Sequence, residues 1–342
     1  MEEIEVTPVL FSVFGLDITA YAVCICLAVL AGLLVLLLRT GRKLKGDSAF
    51  VLAALSLPLA LIGARLFYVL VRLPNYPEIL ENAFHVFKET ASEMDWDIIP
   101  GGGYALWGAA GGVVLAAFIV SKASKQSLGH LLDALAAPAA ITICIARFAE
   151  TFSGEGHGPA IENPLFCRAP FCIYDPMWEE WHLAVFVMEG IAALIIFLIM
   201  LYYSPDRSGD GARKFMILYC SCQVLLESLR RDNFLRWLFV RVSQLTAVIV
   251  MLLMMIVAIV RWARSSDKPR ITKRIIICTV LFFLFVGGCI GIEFAVDKSD
   301  WPNDILYMLL AVCAAGLGIT THQIVFADSP RIKPRHIASG NR

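Results

Sequence analysis

The residues of this chain best equipped for chemistry sit at the end of an apolar run. Residues 146–158 read Ala-Arg-Phe-Ala-Glu-Thr-Phe-Ser-Gly-Glu-Gly-His-Gly, which brings Arg147, Glu150, Glu155 and His157 into one short stretch. The preceding residues 135–146 carry no charge. An arginine at the end of such a helix must pair with an acid, snorkel to the interface, or hold an anionic ligand. Its planar fork suits carboxylate and phosphate alike.

Other polar groups recur inside apolar surroundings. Tyr219, Gln223, Glu227 and Arg230 fall at i, i+4, i+8 and i+11, one face of one helix. Such a stripe marks a buried or site-lining face rather than a lipid-facing one. Glu227 and Arg230 could also satisfy each other within an intramembrane network. Arg65 lies roughly one and a half turns inside the end of its apolar run, where it must snorkel or find a partner. Glu189 is a lone acid in Ala-Val-Phe-Val-Met-Glu-Gly-Ile. Gly108 and Gly112 stand four apart, which permits close approach of another helix or of a lipid chain.

The elements that must position these groups are membrane helices. Of the 342 residues, 58% are hydrophobic and 17% charged, and the mean hydropathy is +0.72. Soluble domains carry roughly 25% charged residues. Apolar runs of about 18–20 residues recur, each long enough to cross a bilayer. The class is an all-α polytopic membrane protein, because a barrel would read as short alternating strands. The acidic opening Met-Glu-Glu-Ile-Glu is unlike the basic start of a cleavable signal.

Nine spans are expected, over residues 15–38, 49–71, 102–121, 129–149, 182–203, 212–229, 241–261, 274–296 and 304–326. Basic residues follow the odd-numbered spans: Arg39, Arg42 and Lys43; Lys122 and Lys125; Arg207 and Arg213; Arg261 to Arg274; and Arg331 to Arg335. Loops holding Glu78 to Asp97 and Glu162 to Glu180 are acidic. The positive-inside rule then sets the N-terminus outside and the C-terminus in the cytoplasm. Arg230, Arg231, Arg236 and Arg241 break this pattern. They belong to a short interfacial helix reaching lipid phosphates, to a span whose true bounds differ from those given, or to a basic surface in the outer half of the membrane that holds an anionic headgroup. The basic linker at 261–274 divides a core over 1–262 from a two-span appendage over 263–342.

Most of the ten cysteines lie in apolar runs and read as small apolar side chains. Cys167 and Cys172 flank a polar Arg-Ala-Pro-Phe and could form a disulfide in an oxidising compartment. No second Cys/His pair stands at ligand spacing, so no metal is expected.

Four segments resemble one family, prolipoprotein diacylglyceryl transferase. Gly63-Ala-Arg-Leu-Phe-Tyr-Val is similar to its Gly-Ala-Arg-Leu-x-Tyr-Val. Trp107-Gly-Ala-Ala-Gly-Gly stands where the family has His-Gly-Gly-x-x-Gly. Residues 147–158 resemble Arg-x-Gly-Asn-Phe-x-Asn-Gly-Glu-x-x-Gly, keeping Arg147, Gly154, Glu155 and Gly158. Residues 219–230 resemble Tyr-Gly-x-x-Arg-x-x-x-Glu-x-x-Arg, keeping Tyr219, Glu227 and Arg230. Val242-Ser-Gln-Leu is weakly similar to Gly-Gln-x-Leu-Ser, and the family segment His-Pro-Ser-Gln-Leu-Tyr-Glu has a faint counterpart around Trp181-His182. The chain departs from the pattern at Trp107 for histidine, Gln223 for arginine, and Glu150 and Ser153 for asparagine.

The resemblance implies a seven-helix diacylglyceryl-transferase-like core with two extra C-terminal transmembrane helices. It also implies a bacterial inner-membrane enzyme in which a lipobox cysteine thiol attacks the glycerol carbon of phosphatidylglycerol. On that pattern Arg147, Glu155 and Glu227 are catalytic, and Arg65, Gly108, Gly154, Gly158, Tyr219 and Arg230 bind substrate. Glu150 and His157 are further candidate bases by position. The implied partners are an anionic phospholipid and a lipoprotein precursor, with neither cofactor nor nucleic acid. A divergent transferase acting on another acceptor fits the same residues. So does a non-catalytic lipid-binding or scaffolding paralogue in which Arg147 and Glu150, at i, i+3, neutralise each other. A transporter would need a repeat of broken helices, and none is evident.

Overall fold

The structure, a computed structural model, describes residues 9–13, 16–40, 44, 47–73, 104–161, 170–175, 179–231, 235–237, 240–264, 272–299 and 301–327. Within these, nine helices dominate: α1 Ala20–Thr40, α2 Ser48–Arg72, α3 Leu106–Ser124, α4 Leu128–Ala149, α5 Val185–Tyr202, α6 Asp210–Leu229, α7 Val242–Arg264, α8 Thr272–Lys298 and α9 Asn303–Val325. Lipid offers no hydrogen-bond partners to a backbone, so apolar runs of this length close their own amide ladders as helices. Eight of the nine are long and apolar enough to cross a membrane, and the chain is an all-α multi-pass membrane protein.

The exception is α6, expected as the sixth span. It is a helix, but Asp210, Gln223 and Glu227 lower its apolar content. Those three side chains are buried by neighbouring protein. A helix can carry such groups at membrane depth when other helices, rather than lipid, surround them.

The chain forms two compact units, Met1–Ile249 and Val250–Arg342, and the division falls within α7. In the first unit, α3 packs along α2 and α4 packs along both α1 and α5. The α2–α3 crossing is close because Gly63 meets Gly108, and Gly112 meets the backbone at Leu59. The small residues expected to admit a helix or a lipid chain thus admit a helix. Two cores follow: Leu52, Ala116, Ala117, Val120 and Leu131 join α2, α3 and α4, while Ala136, Ala140, Ile196, Phe215 and Tyr219 join α4, α5 and α6.

Polar ties fix the helix ends. Asp133 on α4 accepts from the amides of Gly209 at 2.7 Å and Ala212 at 2.9 Å, capping α6 from a neighbouring helix. Arg39 donates to the carbonyls of Met200 at 2.9 Å and Leu201 at 3.0 Å, the last turn of α5. Its sequence reading as a cytoplasmic loop charge omits this structural task.

Short strands, which hydropathy does not announce, precede α1 and link two later pairs of helices. β1 Val9–Val13 pairs antiparallel with β2 Leu16–Thr19. β3 His157–Ala160 and β4 Cys172–Asp175 flank β5 Glu180–Ala184 in the order β3-β5-β4. β6 Arg236–Trp237 pairs with β7 Val240–Arg241. The fifth span therefore starts at Val185 rather than 182, because β5 occupies the preceding residues. A hairpin also stands where the Arg230–Arg241 segment suggested an interfacial helix.

In the second unit α8 and α9 pack against each other. Phe282, Leu310 and Leu317 are fully buried there, and the Thr321 hydroxyl lies 3.6 Å from the Met255 sulfur. Cys167 and the acidic loop over 74–100 lie outside the described residues.

Candidate active site

The 3-10 turn Glu150–Phe152 ends α4, and the chain reverses through Gly154 (φ 69°) and Gly156 (φ 80°) into β3. Both glycines occupy the left-handed region that other residues enter at a cost. At Gly156 a methyl group would also stand 2.5 Å from the Glu150 carboxylate and 2.9 Å from Phe186 Cβ. This turn brings Glu155 to one wall of a cavity and presses Glu150 into its base. Gly158 lies in β3 against Leu183 and Val185, so it serves the sheet.

Behind the cavity lies a buried charge network drawn from α4, α5, α6 and β7. Arg147 donates to Glu150 through Nη1, and its Nε lies 3.0 Å from Glu189 Oε2. Arg230 Nη1 is 3.3 Å from Glu189 Oε2 and 3.6 Å from Glu150 Oε2. Glu227 Oε2 accepts from Gln223 Nε2 at 2.8 Å, and its Oε1 lies 3.7 Å from Arg241. Gln223 also reaches Glu189 Oε1 at 3.5 Å. Arg241 donates through Nη2 to the Arg230 carbonyl. Interior charges are tolerable only when paired and hydrogen-bonded in this way.

The polar stripe on α6 is buried as expected, but its pairing is not. Among the described residues, Arg230 finds its carboxylates on Glu150 and Glu189, and Glu227 takes Gln223 and Arg241 instead. Arg230 is the residue after α6, and the carboxylate it meets at 3.3 Å, Glu189, comes from the neighbouring α5. Arg230 and Arg241 are buried members of this network, not interfacial arginines.

In front of these groups opens a cavity of about 320 Å³, in the range of small-molecule sites. Arg147, Glu150, Glu155, Glu227 and Arg230 form its charged wall, with Ser153 and Ser243 as neutral polar groups. Tyr21, Phe67, Tyr104 and Trp107 supply aromatic surface. Of the expected site residues, Arg147, Glu155, Glu227 and Arg230 line the cavity directly. Tyr219 stacks on Phe215 and meets Trp107 at 6.0 Å between ring centroids, backing the wall. Arg65 lies 5.8 Å from the Tyr104 ring and 5.9 Å from the Tyr68 ring, one residue removed from cavity-lining Ala64. Gly108 is buried in the α2–α3 crossing, and Gly154 shapes the turn before Glu155.

Three participants were absent from the expected set. Glu189 is the hub that joins Arg147 to Arg230, and an acid in an apolar span was its signal. The sequence offers Arg241 as one of four loop arginines for lipid phosphates or a headgroup, not as the partner of Glu227. Tyr21, at the start of α1, had no sequence signal separating it from an interfacial aromatic.

An arginine pair beside carboxylates, in a cavity walled by membrane helices, can hold a phosphodiester and accept a proton. The chain matches the family described as prolipoprotein diacylglyceryl transferase over residues 8–261. A relative from Clostridium kluyveri, named phosphatidylglycerol–prolipoprotein diacylglyceryl transferase, is 29% identical over 252 residues, 71% of this chain and 91% of that protein. A Clostridium perfringens protein named phosphatidylglycerol–prolipoprotein diacylglyceryl transferase 1 is 28% identical over 272 residues, 77% and 97% of the two chains. One from Finegoldia magna, with the first relative's name, is 26% identical over 251 residues, 71% and 91%. The cavity and its charge network lie wholly within the matched stretch, and the chain belongs to the prolipoprotein diacylglyceryl transferase family.

Proposed function

We propose that this protein transfers a diacylglyceryl group from a membrane glycerophospholipid to a thiol, the lipobox cysteine of a lipoprotein precursor. The observation that carries the reading is the cavity wall where Arg147 and Arg230 stand beside Glu155 and Glu227. The lipid phosphate lies against the two guanidinium groups, which stabilise the charge that develops as the carbon–oxygen bond breaks. The thiol, with a pKa of about 8.5 in water, loses its proton as sulfur attacks the glycerol carbon. Of the carboxylates that line the cavity, we assign that proton to Glu155 or Glu227, and one suffices. Phosphatidylglycerol is the donor in the relatives' names and the first to test. The protein sits in the bacterial plasma membrane with its N-terminus outside and its C-terminus in the cytoplasm, so that the cavity serves the outer leaflet.

Purified protein in lipid nanodiscs, given labelled phosphatidylglycerol and a lipobox peptide, tests this directly. Arg147→Ala and Arg230→Ala are each expected to lower transfer at least ~100-fold, as loss of a charge-stabilising donor does elsewhere. Background turnover by the unaltered protein and both variants alike would sink the transferase reading.

The ion pairs Arg147–Glu150 and Arg147–Glu189 favour a second reading, a non-catalytic lipid-binding member of the family. Guanidinium donors held by carboxylates are less available to a phosphate. Lipid binding that depends on Arg147 without any transfer would select this alternative.

A further inference from the structure

Glu227 lines the cavity, and the cation that pairs with it does not. Among the described residues, Arg241 is the basic side chain at salt-bridge distance from Glu227, its Nη1 standing 3.7 Å from Oε1. Gln223, one turn earlier on α6 and placed where the family pattern has arginine, donates to Glu227 at 2.8 Å but carries no charge. Glu227 and Arg241 are 2% and 7% exposed, and a carboxylate so enclosed keeps its place only against a partner. Arg241 ends the β6–β7 hairpin, and its neighbour Val242 is buried with Leu235, Tyr68 and Ala105. The Val242 amide donates to the Leu235 carbonyl at 3.1 Å, and Gln244 Nε2 donates to the Val224 carbonyl of α6 at 3.1 Å. The Arg241 guanidinium donates through Nη2 to the Arg230 carbonyl. One planar fork thus joins the main chain just past α6 to a side chain in the last turn of that helix.

We infer that Arg241 is a positioning residue for the transfer, holding the Glu227 carboxylate at the cavity from behind its wall. The Arg230 carbonyl fixes one nitrogen of the fork, and the other then meets Glu227. The charge that α6 lacks at Gln223 is supplied by the hairpin. Lysine at this position would keep the charge and lose the planar fork that serves both acceptors. Arg241 acts through Glu227, which makes Glu227 rather than Glu155 the carboxylate on which the thiol proton depends.

The effect on rate rests on the transfer reading, whereas the pairing rests on geometry alone, so the test reads both. Transfer from phosphatidylglycerol to a lipobox peptide is measured in nanodiscs, and thermal unfolding in detergent. The full chain is compared with Arg241→Gln, Arg241→Lys, Glu227→Gln and the double variant Arg241→Gln/Glu227→Gln. At a temperature where it is folded, Arg241→Gln is expected to lower kcat at least about tenfold, with the KM for lipid within about threefold. Arg241→Lys should recover part of that loss. In the Glu227→Gln background Arg241→Gln should cost at most about twofold, because the residue it positions is already disabled. A kcat for Arg241→Gln within about threefold of the unaltered chain overturns the inference, and so does a loss of equal size with and without Glu227. Should Arg241→Gln not fold, Arg241→Lys takes its place in the same cycle, with the same outcomes. No transfer by the unaltered chain would sink the transfer reading, and unfolding alone would then decide the pairing. A fall in Tm for the double variant smaller than the two single falls together upholds it, and falls that simply add overturn it.

Discussion

Glu189 Oε2 lies 3.0 Å from Nε of Arg147 and 3.3 Å from Nη1 of Arg230, so one buried carboxylate on α5 orients both arginines of the cavity wall. The arginines come from the last turn of α4 and from the residue after α6, and neither helix alone fixes their spacing. Glu189→Gln keeps the shape and removes the charge. Two guanidinium groups would then share the remaining carboxylates, and breaking a buried pair costs about 3–5 kcal/mol. Thermal unfolding in detergent should show a clear fall in Tm, with transfer or lipid binding lost in parallel. An unchanged Tm would remove Glu189 from this role.

Gln223 holds two acids at once, donating to Glu227 at 2.8 Å and reaching Glu189 at 3.5 Å. Gln223→Leu has nearly the same volume and no donor. It should destabilise the first unit by about 1–3 kcal/mol, because buried acceptors are left without partners. Chemical denaturation of the variant beside the unaltered chain measures this, and equal midpoints would contradict the network described above.

How much of this was legible in sequence differs by level. Helices over long apolar runs were legible, because in lipid hydropathy alone dictates a closed backbone ladder. The α6 stripe was legible as a buried face for the same reason that made α6 poor as a lipid-facing span: its acids need protein around them. The β3-β5-β4 sheet was not, because residues such as His157-Gly-Pro-Ala have neither alternation nor strong strand propensity. Charge partners were the least legible. Arg147 and Glu150 pair through local i, i+3 geometry, which spacing predicts. Arg230 pairs with Glu189 across α5 and α6, which only the packing of those helices decides.

The capping of α6 by Asp133 gives a prediction away from the cavity. Asp133 accepts from two amides at the start of α6, and Gly209 and Ala212 have no such partner on their own helix. Asp133→Ala should cost about 1–2 kcal/mol, as loss of an N-cap does. Asp133→Asn, which retains one acceptor, should recover part of it. Hydrogen exchange at residues 210–213 is the matching local probe, and protection that survives in the alanine variant would argue against the cap.

The α2–α3 crossing sets where Trp107 and Arg65 stand, and glycines hold it. A methyl group at Gly112 would run into the Leu59 backbone, whereas one at Gly111 would meet nothing within 4 Å. Backbone cannot swing aside as a flexible side chain can, so the two helices would have to part. Gly112→Val is therefore expected to lower stability by several kcal/mol, at or beyond the ~1–3 kcal/mol of ordinary overpacking. Gly111→Ala should be neutral or mildly stabilising, since alanine is the better helix former by roughly 0.8–1.0 kcal/mol. The pair is informative because the substitutions sit side by side on one helix and differ in what they face. Unfolding curves for both variants, with lipid binding measured at a temperature where each is folded, separate stability from site geometry. Equal effects at the two positions would mean that α2 and α3 do not cross where this structure has them.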